Sequence, residues 1–261
     1  MRWGEKAERW VPVWETVGTA YALAFRSVLR FPITTLAVSA VLFIINSYTV
    51  PLSISGIAAA QPLLVLLNEV LRAIVLAPLA ILIHRSIILG EWTGTYLTIG
   101  THRRARQFVV VALLLVLVQE LANFVGSLDR YSGWFILPTF VILIASIVFG
   151  IRLCLAFPAI ATDQSDAPIR DSFRYVKGSG LAIFFMFFCA ALCWMPIGIP
   201  LFFADRLSLF AENPGLLLAL RAVQQLSATF MVVVYVSAAS QLWRTRALWS
   251  EAVAPTPTAA A

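Results

Sequence analysis

Charged residues are scarce in this chain of 261 residues, in which Asp, Glu, Lys and Arg make up 12% and apolar residues make up 61%. A soluble domain has about 25% charged and about 45–50% apolar residues. So few charges cannot cover this much apolar surface in water, and the surrounding solvent must therefore be apolar. The composition predicts one membrane domain, because no stretch is long and polar enough for a second, soluble domain.

Residues that build metal sites and catalytic sites are scarce as well. The three cysteines, Cys154, Cys189 and Cys193, form no CxxC pair, and the two histidines, His84 and His102, have no HxxxH or HExxH spacing. A disulfide framework and a zinc site are therefore disfavoured, and the sequence contains neither GxSxG nor a phosphate-binding glycine loop. We expect no metal and no cofactor, and the sequence favours a non-enzymatic role over catalysis.

Long apolar runs predict six transmembrane helices within a membrane domain of residues 33–246. Each run is long enough to cross a hydrocarbon core of about 30 Å at about 1.5 Å per residue. The fold class is therefore all-α, a polytopic membrane helical bundle. The tail 247–261, rich in Ala, Pro and Thr, is predicted to be disordered on the cytoplasmic side. The predicted spans are Ile33–Val50, Leu63–Ile83, Gln107–Ser127, Trp134–Pro158, Leu181–Phe203 and Gly215–Leu242.

Two segments have the pattern of amphipathic helices that lie at a membrane interface. The first is Val13–Arg30 in the N-terminal region 1–32, which lacks the apolar core of a signal peptide. An interfacial helix is favoured over a surface helix packed on protein, because a span follows after a break at Phe31-Pro32. The second follows Asp163 and places Ile169, Phe173 and Val176 on one side and Arg170, Arg174 and Lys177 on the other.

Basic residues outside the predicted spans are concentrated on one side of the membrane. They precede span one, follow spans two and six and surround the end of span four, whereas only Arg130 and Arg206 fall on the other side. The positive-inside rule then places both termini in the cytoplasm. The formal net charge of +6 is explained by this topology and by anionic lipid as a partner, and we expect no nucleic acid partner.

Hydropathy also suggests an internal repeat. A cytoplasmic polar or amphipathic segment, a span outward and a span back occur three times, which would make a threefold repeat of a helical hairpin. The three units share little residue identity, so chance repetition in a six-span protein is the alternative interpretation.

One stretch resembles a known group of proteins. It reads Arg-Leu-Cys-Leu-Ala-Phe-Pro-Ala from Arg152, then a short polar turn, then Asp-Ser-Phe-Arg-Tyr-Val-Lys-Gly from Asp171. The pattern is similar to that of poorly characterised six-span bacterial membrane proteins and of the membrane domain associated with some glycerophosphodiester phosphodiesterases. The resemblance implies the fold and a location in the bacterial plasma (inner) membrane. It does not imply the phosphodiesterase activity, which belongs to a separate barrel domain that this chain is too short to contain.

Polar residues within three predicted spans are the candidate functional cluster, because ionisable groups in a membrane are costly. Glu69 and Arg72 are spaced i, i+3 and can pair, and Glu69, Glu120 and Arg221 lie at one level in the outer half of the bilayer. We predict that they converge between spans two, three and six. The alternatives are a structural polar network, a binding cavity or pathway, and separate side chains that snorkel outward. The full candidate set is Asn68, Glu69, Arg72, Gln119, Glu120, Asn123, Arg221, Gln224 and Gln225.

A second candidate set would contact lipid headgroups. Arg152 lies near the cytoplasmic end of span four, where it can snorkel to phosphates or pair with Asp171 or Glu91, and Arg170, Arg174 and Lys177 follow it. The favoured function is a plasma-membrane protein in membrane organisation, assembly or lipid handling. The alternative is a small transporter or channel-like protein that uses the outer polar cluster.

Overall fold

The computed structural model describes residues 12–54, 61–91, 103–128, 136–204 and 213–253. Within these ranges every regular element is a helix, and the predicted all-α class is confirmed. The helices, numbered in chain order, are α1 (Val13–Arg30), α2 (Pro32–Ile54), α3 (Gln61–Ile88), α4 (Arg103–Leu128), α5 (Ile136–Leu153), α6 (Ala156–Thr162), α7 (Pro168–Val176), α8 (Gly180–Phe203) and α9 (Pro214–Val253).

Four segments of the described chain are long and apolar enough to cross a membrane. The number of candidate spans rises to five if α1 and the first part of α2, which meet at 94°, together form one bent span. α4 is also long, but it carries Arg103, Arg104, Arg106 and Glu120, which make it less apolar. The structure therefore shows four or five candidate spans, and six spans stay a prediction. The four segments are Leu64–Ile88, Leu137–Thr162, Gly180–Phe203 and Pro214–Thr245.

The corner between α1 and α2 lies at Phe31, as the sequence predicted. Pro32 opens α2, where its missing N–H removes no helical hydrogen bond. Its ring disfavours helical geometry at the preceding residue, and Phe31 has φ −119° and ψ 51°. The Phe31 N–H still donates to the Ser27 carbonyl at 2.9 Å, which closes the last turn of α1.

One face of α1 packs on protein and the rest of it is exposed. The buried face contacts α9 and α8, and the Tyr21 hydroxyl donates to the Ala190 carbonyl at 2.7 Å. Its buried residues are Thr16, Val17, Ala20, Ala24 and Ser27. The exposed part has an apolar edge of Trp14, Phe25 and Leu29 beside a charged edge of Glu15, Arg26 and Arg30. One face of α1 is therefore packed on protein, and an interfacial position of its exposed face stays a prediction.

The predicted fourth span is broken in two. α5 ends at Leu153, and a turn at Cys154 and Leu155 separates it from α6. Pro158 explains the break, because it lacks the N–H that would bond the Cys154 carbonyl and its ring crowds that carbonyl. The short helix α6 is buried almost throughout and packs against α3, α4 and α9. The stretch that carries the family resemblance thus lies at the centre of the packing.

Small residues let α9 approach its neighbours closely. Ser237, Ala238, Ala239 and Ser240 are all buried, as the sequence pattern of small residues predicts for a packing face. α9 contacts α1, α2, α3 and α8. It also continues to Val253, seven residues into the tail 247–261, and disorder of that tail stays a prediction. The helix continues there because no proline interrupts it before Pro255; residues 254–261 lie outside the described residues.

Candidate functional site

An apolar cavity of about 610 Å³ lies among α3, α4, α5, α8 and α9. Along α3 it extends from Glu69 to His84, which is about 22 Å at the helical rise. Small residues leave the space: Ala73 and Ala80 on α3, Ala112 on α4 and Gly150 on α5 all line it. The volume falls within the range of about 300–1,000 Å³ that is typical of small-molecule sites.

Aromatic side chains form much of the cavity wall. Phe184 and Phe188 of α8 stack with their ring centroids 5.8 Å apart, and Phe187 meets Tyr235 of α9 edge-on at 5.7 Å. Two lining side chains, Ile147 on α5 and Phe188, are exposed at 41% and 46%. The cavity therefore reaches the outer surface of the bundle between α5 and α8, on a face that is apolar.

One end of the cavity carries an ion pair. Arg72 Nη1 lies 2.7 Å from Glu69 Oε1, so the predicted i, i+3 pair is confirmed. Arg72 Nε is buried and has no hydrogen-bond partner among the described residues. A buried donor without an acceptor is unfavourable by about 1–3 kcal/mol. At this end the cavity is therefore lined by a neutralised charge pair, and Nε itself is enclosed by protein.

The other end of the cavity carries a buried histidine. His84 Nδ1 lies 2.7 Å from the Ser240 hydroxyl oxygen, and that hydroxyl also lies 2.8 Å from the Val236 carbonyl. Since the hydroxyl has one proton to give to the carbonyl, Nδ1–H of His84 is assigned as the donor to Ser240. In the sequence, His84 was weighed only as a possible metal ligand. A lone histidine inside an apolar span was the signal that could have placed it here.

Two of the other predicted polar residues form hydrogen bonds to neighbouring helices. Gln225 accepts a 2.6 Å hydrogen bond from Asn46 Nδ2 on α2, and Gln224 donates to the Leu201 carbonyl on α8. Arg221 and Gln119 are exposed, Asn68 and Glu120 are half-buried, and the side chain of Asn123 lies outside those described. α3 packs against both α4 and α9, which make hardly any direct contact with each other. Glu69 and Arg72 line the cavity, whereas Glu120 and Arg221 do not.

The predicted headgroup-contact residues lie on and beside α7. Arg170, Arg174 and Lys177 are exposed. The Arg152 guanidinium lies 5.9 Å from the centre of the Phe173 ring, and the Arg152 carbonyl accepts a 2.6 Å hydrogen bond from Ser172. The two carboxylates considered as partners for Arg152 are engaged elsewhere. Asp171 accepts from the Ser165 hydroxyl at 2.6 Å, and Glu91 binds Arg85.

Several helix ends meet around the C-terminus of α6. Arg85 at the end of α3 donates to the Ala161 carbonyl at 3.2 Å, and Arg104 of α4 forms a salt bridge with Asp163. The hydrogen bond that Arg104 donates to the Asp163 carboxylate raises the pKa of Arg104 above its usual value. Trp243 of α9 is buried and donates to Gln164 at 2.7 Å. Trp243 therefore connects α9 to the turn that follows α6.

Within the described residues no group of three or more His, Cys, Asp or Glu is arranged to hold a metal ion. No family model, no curated protein and no solved structure matches the chain. A function can therefore be inferred only from the cavity and its two polar ends.

Proposed function

We propose that this protein binds a membrane lipid, or another amphiphile with a long apolar chain, in the cavity among α3, α4, α5, α8 and α9. It acts in lipid handling or membrane organisation rather than in catalysis. The observation that carries the proposal is the cavity itself, about 610 Å³ in volume, lined mainly by apolar side chains and ending at the Glu69–Arg72 pair. Apolar walls with a few placed polar groups are typical of sites that bind and orient small molecules.

The shape of the cavity supports a chain-like ligand. Its length of about 22 Å along α3 exceeds half of a hydrocarbon core of about 30 Å. Its exposed lining residues, Ile147 and Phe188, face the direction from which a lipid would enter. The Arg72 guanidinium is paired with Glu69, so the ligand would meet little net charge at that end of the cavity.

The proposal includes the topology predicted from the sequence. The chain would cross the bacterial inner membrane six times with both termini in the cytoplasm, α4 and α2 providing the spans beyond the four apolar segments. Two units support the repeat, since an amphipathic helix precedes a pair of long helices in α1–α2–α3 and again in α7–α8–α9. The corresponding middle segment, 92–102, lies outside the described residues. The resemblance to the membrane domain of glycerophosphodiester phosphodiesterases supports the same location.

A small transporter is the second candidate. The observation that favours it is the ion pair at one end of the cavity, because intramembrane charges often mark pathways. The two functions differ in their requirement for charge. Transport of a polar solute would depend on Glu69 and Arg72, whereas lipid binding would depend on the apolar wall.

Cavity-filling substitutions test the proposal. Ala112→Phe places a ring in the cavity, and Ala145→Phe adds the same ring to the exposed side of α5, outside it. Purified protein would be titrated in detergent with a phospholipid that carries a fluorescent polyene chain. We expect saturable binding by the parent protein and by Ala145→Phe, and a loss of about tenfold or more in Ala112→Phe because the ring excludes the chain. Equal binding by the three proteins would refute the lipid proposal.

A further inference from the structure

A second cavity lies at the basic end of the bundle, among α4, α6 and the start of α7. It has a volume of about 480 Å³ and shares no lining residue with the cavity described above. Its polar rim consists of Arg103, Arg106 and Gln107 at the start of α4. The pocket is separate from the larger cavity and does not depend on what occupies it.

The lining side chains on α4 share one face of the helix and change in character along it. Positions 103, 106, 107, 110 and 111 follow the i, i+3, i+4, i+7 and i+8 pattern that aligns side chains on one side. Two guanidiniums and an amide come first, and Val110 and Val111 follow about 6 Å further along the axis from Arg106. Along this face of α4, a cationic surface is therefore followed directly by an apolar surface within about two helical turns.

The opposite wall of the pocket is apolar. Ile160 of α6 is buried, whereas Ile169 at the start of α7 is 41% exposed and faces the pocket together with Val110, which is 58% exposed. These two side chains belong to different helices and leave an apolar surface uncovered beside the guanidiniums. A free inorganic anion would use the arginines alone and would leave this surface in contact with water.

The two rim arginines are available for an anion. Both are exposed, and neither forms a salt bridge within the described part of the chain. The arginine between them, Arg104, lies at the edge of the same face of α4, next to Val111, and is bound to Asp163. Asp163 therefore neutralises Arg104 and fixes the start of α4 against α6, so that Arg103 and Arg106 are presented together.

We propose that this pocket binds one anionic phospholipid, with its phosphate at Arg103 and Arg106 and the start of an acyl chain against Val110 and Ile169. Paired guanidiniums suit phosphate because they donate several hydrogen bonds in a planar arrangement. The position also fits the membrane, because the basic end of α4 lies where anionic headgroups of the cytoplasmic leaflet would be. The bound lipid would connect α4 to α7 across the gap between them.

The experiment compares three probes in native mass spectrometry and thermal unfolding of the detergent-solubilised full chain. The probes are phosphatidylglycerol, phosphatidylcholine with the same acyl chains, and inorganic phosphate. We expect the parent protein to retain phosphatidylglycerol at least about tenfold better than phosphatidylcholine and to be stabilised by it, since the two guanidiniums attract a headgroup with a net negative charge. Stabilisation by inorganic phosphate equal to that by phosphatidylglycerol would contradict a lipid site.

Variants distinguish binding in this pocket from a general effect of the protein's positive charge. Arg103→Gln with Arg106→Gln should abolish the preference for phosphatidylglycerol. Arg26→Gln with Arg244→Gln removes the same charge from exposed positions outside the pocket and should leave the preference unchanged. Val110→Gln, at an exposed position that tolerates a polar side chain, should weaken retention of phosphatidylglycerol while both arginines remain. An equal loss in the two double variants, with the unliganded proteins unfolding at the same temperature, would show a bulk charge effect and would overturn the proposal.

Discussion

The imidazole of His84 on α3 and the hydroxyl of Ser240 on α9 are 2.7 Å apart, and both side chains are buried at one end of the large cavity. This hydrogen bond joins two helices that also pack through small residues. It fixes the tautomer of His84 and holds together two neighbouring helices that both line the cavity at that end.

Removal of this hydrogen bond should weaken the bundle. We expect Ser240→Ala to lower the free energy of unfolding by about 1 kcal/mol, and a double-mutant cycle with His84→Ala to give a coupling of roughly 0.6–1.7 kcal/mol, as for other interhelical hydrogen bonds in membranes. Unfolding in mixed detergent micelles measures both values. A coupling near zero would mean that the contact contributes no more than packing.

The Glu69–Arg72 pair should show strong non-additivity. Arg72→Ala leaves the Glu69 carboxylate uncompensated at the cavity wall, so we expect it to lower thermal stability in detergent clearly. Glu69→Gln combined with Arg72→Gln should be less damaging than Arg72→Ala, because no charge is left unpaired. Glu120→Gln, which removes a charge outside the cavity, is the comparison for a structural role of the outer polar residues. If the loss of stability in the double variant equals the sum of the losses in its two single variants, the pairing is contradicted.

Gly198 is predicted to be required for the packing of Trp194. A Cβ atom at position 198 would lie 3.2 Å from Cδ1 of Trp194, whose indole N–H donates to Ser227 on α9 at 3.1 Å. Gly198→Ala should therefore shift the indole and lower stability by about 1 kcal/mol. Gly18→Ala is the control, because nothing lies within 4 Å of its new methyl group, and it should be neutral or stabilising. Equal effects of the two substitutions would count against the contact.

The exposed side of α1 should contact lipid along one edge and water along the other. In a background without Cys154, Cys189 and Cys193, we expect a spin label at Phe25→Cys to be reached mainly by oxygen, and one at Arg30→Cys mainly by a water-soluble nickel complex. The two positions lie on the apolar and charged edges of the same helix. Collision measurements by electron paramagnetic resonance in liposomes check this. Equal access of the nickel complex to both labels would place α1 away from the membrane.

Hydropathy was sufficient to predict the helical class, the corner at Phe31 and the small-residue face of α9. These features depend on local chemistry: long apolar runs, a proline at a helix start and small side chains in series. The break in the helix of the fourth span was harder to predict from the sequence. Pro158 was visible in the sequence, but only the packing of α6 against α3, α4 and α9 shows why a broken helix is stable there.

The candidate site was predicted only in part. The i, i+3 spacing of Glu69 and Arg72 requires no tertiary information, so their pairing could be predicted. The partners of Gln224 and Gln225 depend on how α9 rotates against α2 and α8, and depth in the membrane does not determine rotation. The cavity depends on small residues from three helices, and no local pattern in the sequence identifies such a combination.

The most direct test of the lipid-binding account is native mass spectrometry of the protein extracted from its own membranes in mild detergent. The account predicts a bound species with the mass of a lipid on the parent protein and on Ala145→Phe, and its absence from Ala112→Phe. A parent protein that carries no lipid, or a lipid retained equally by Ala112→Phe, would contradict it.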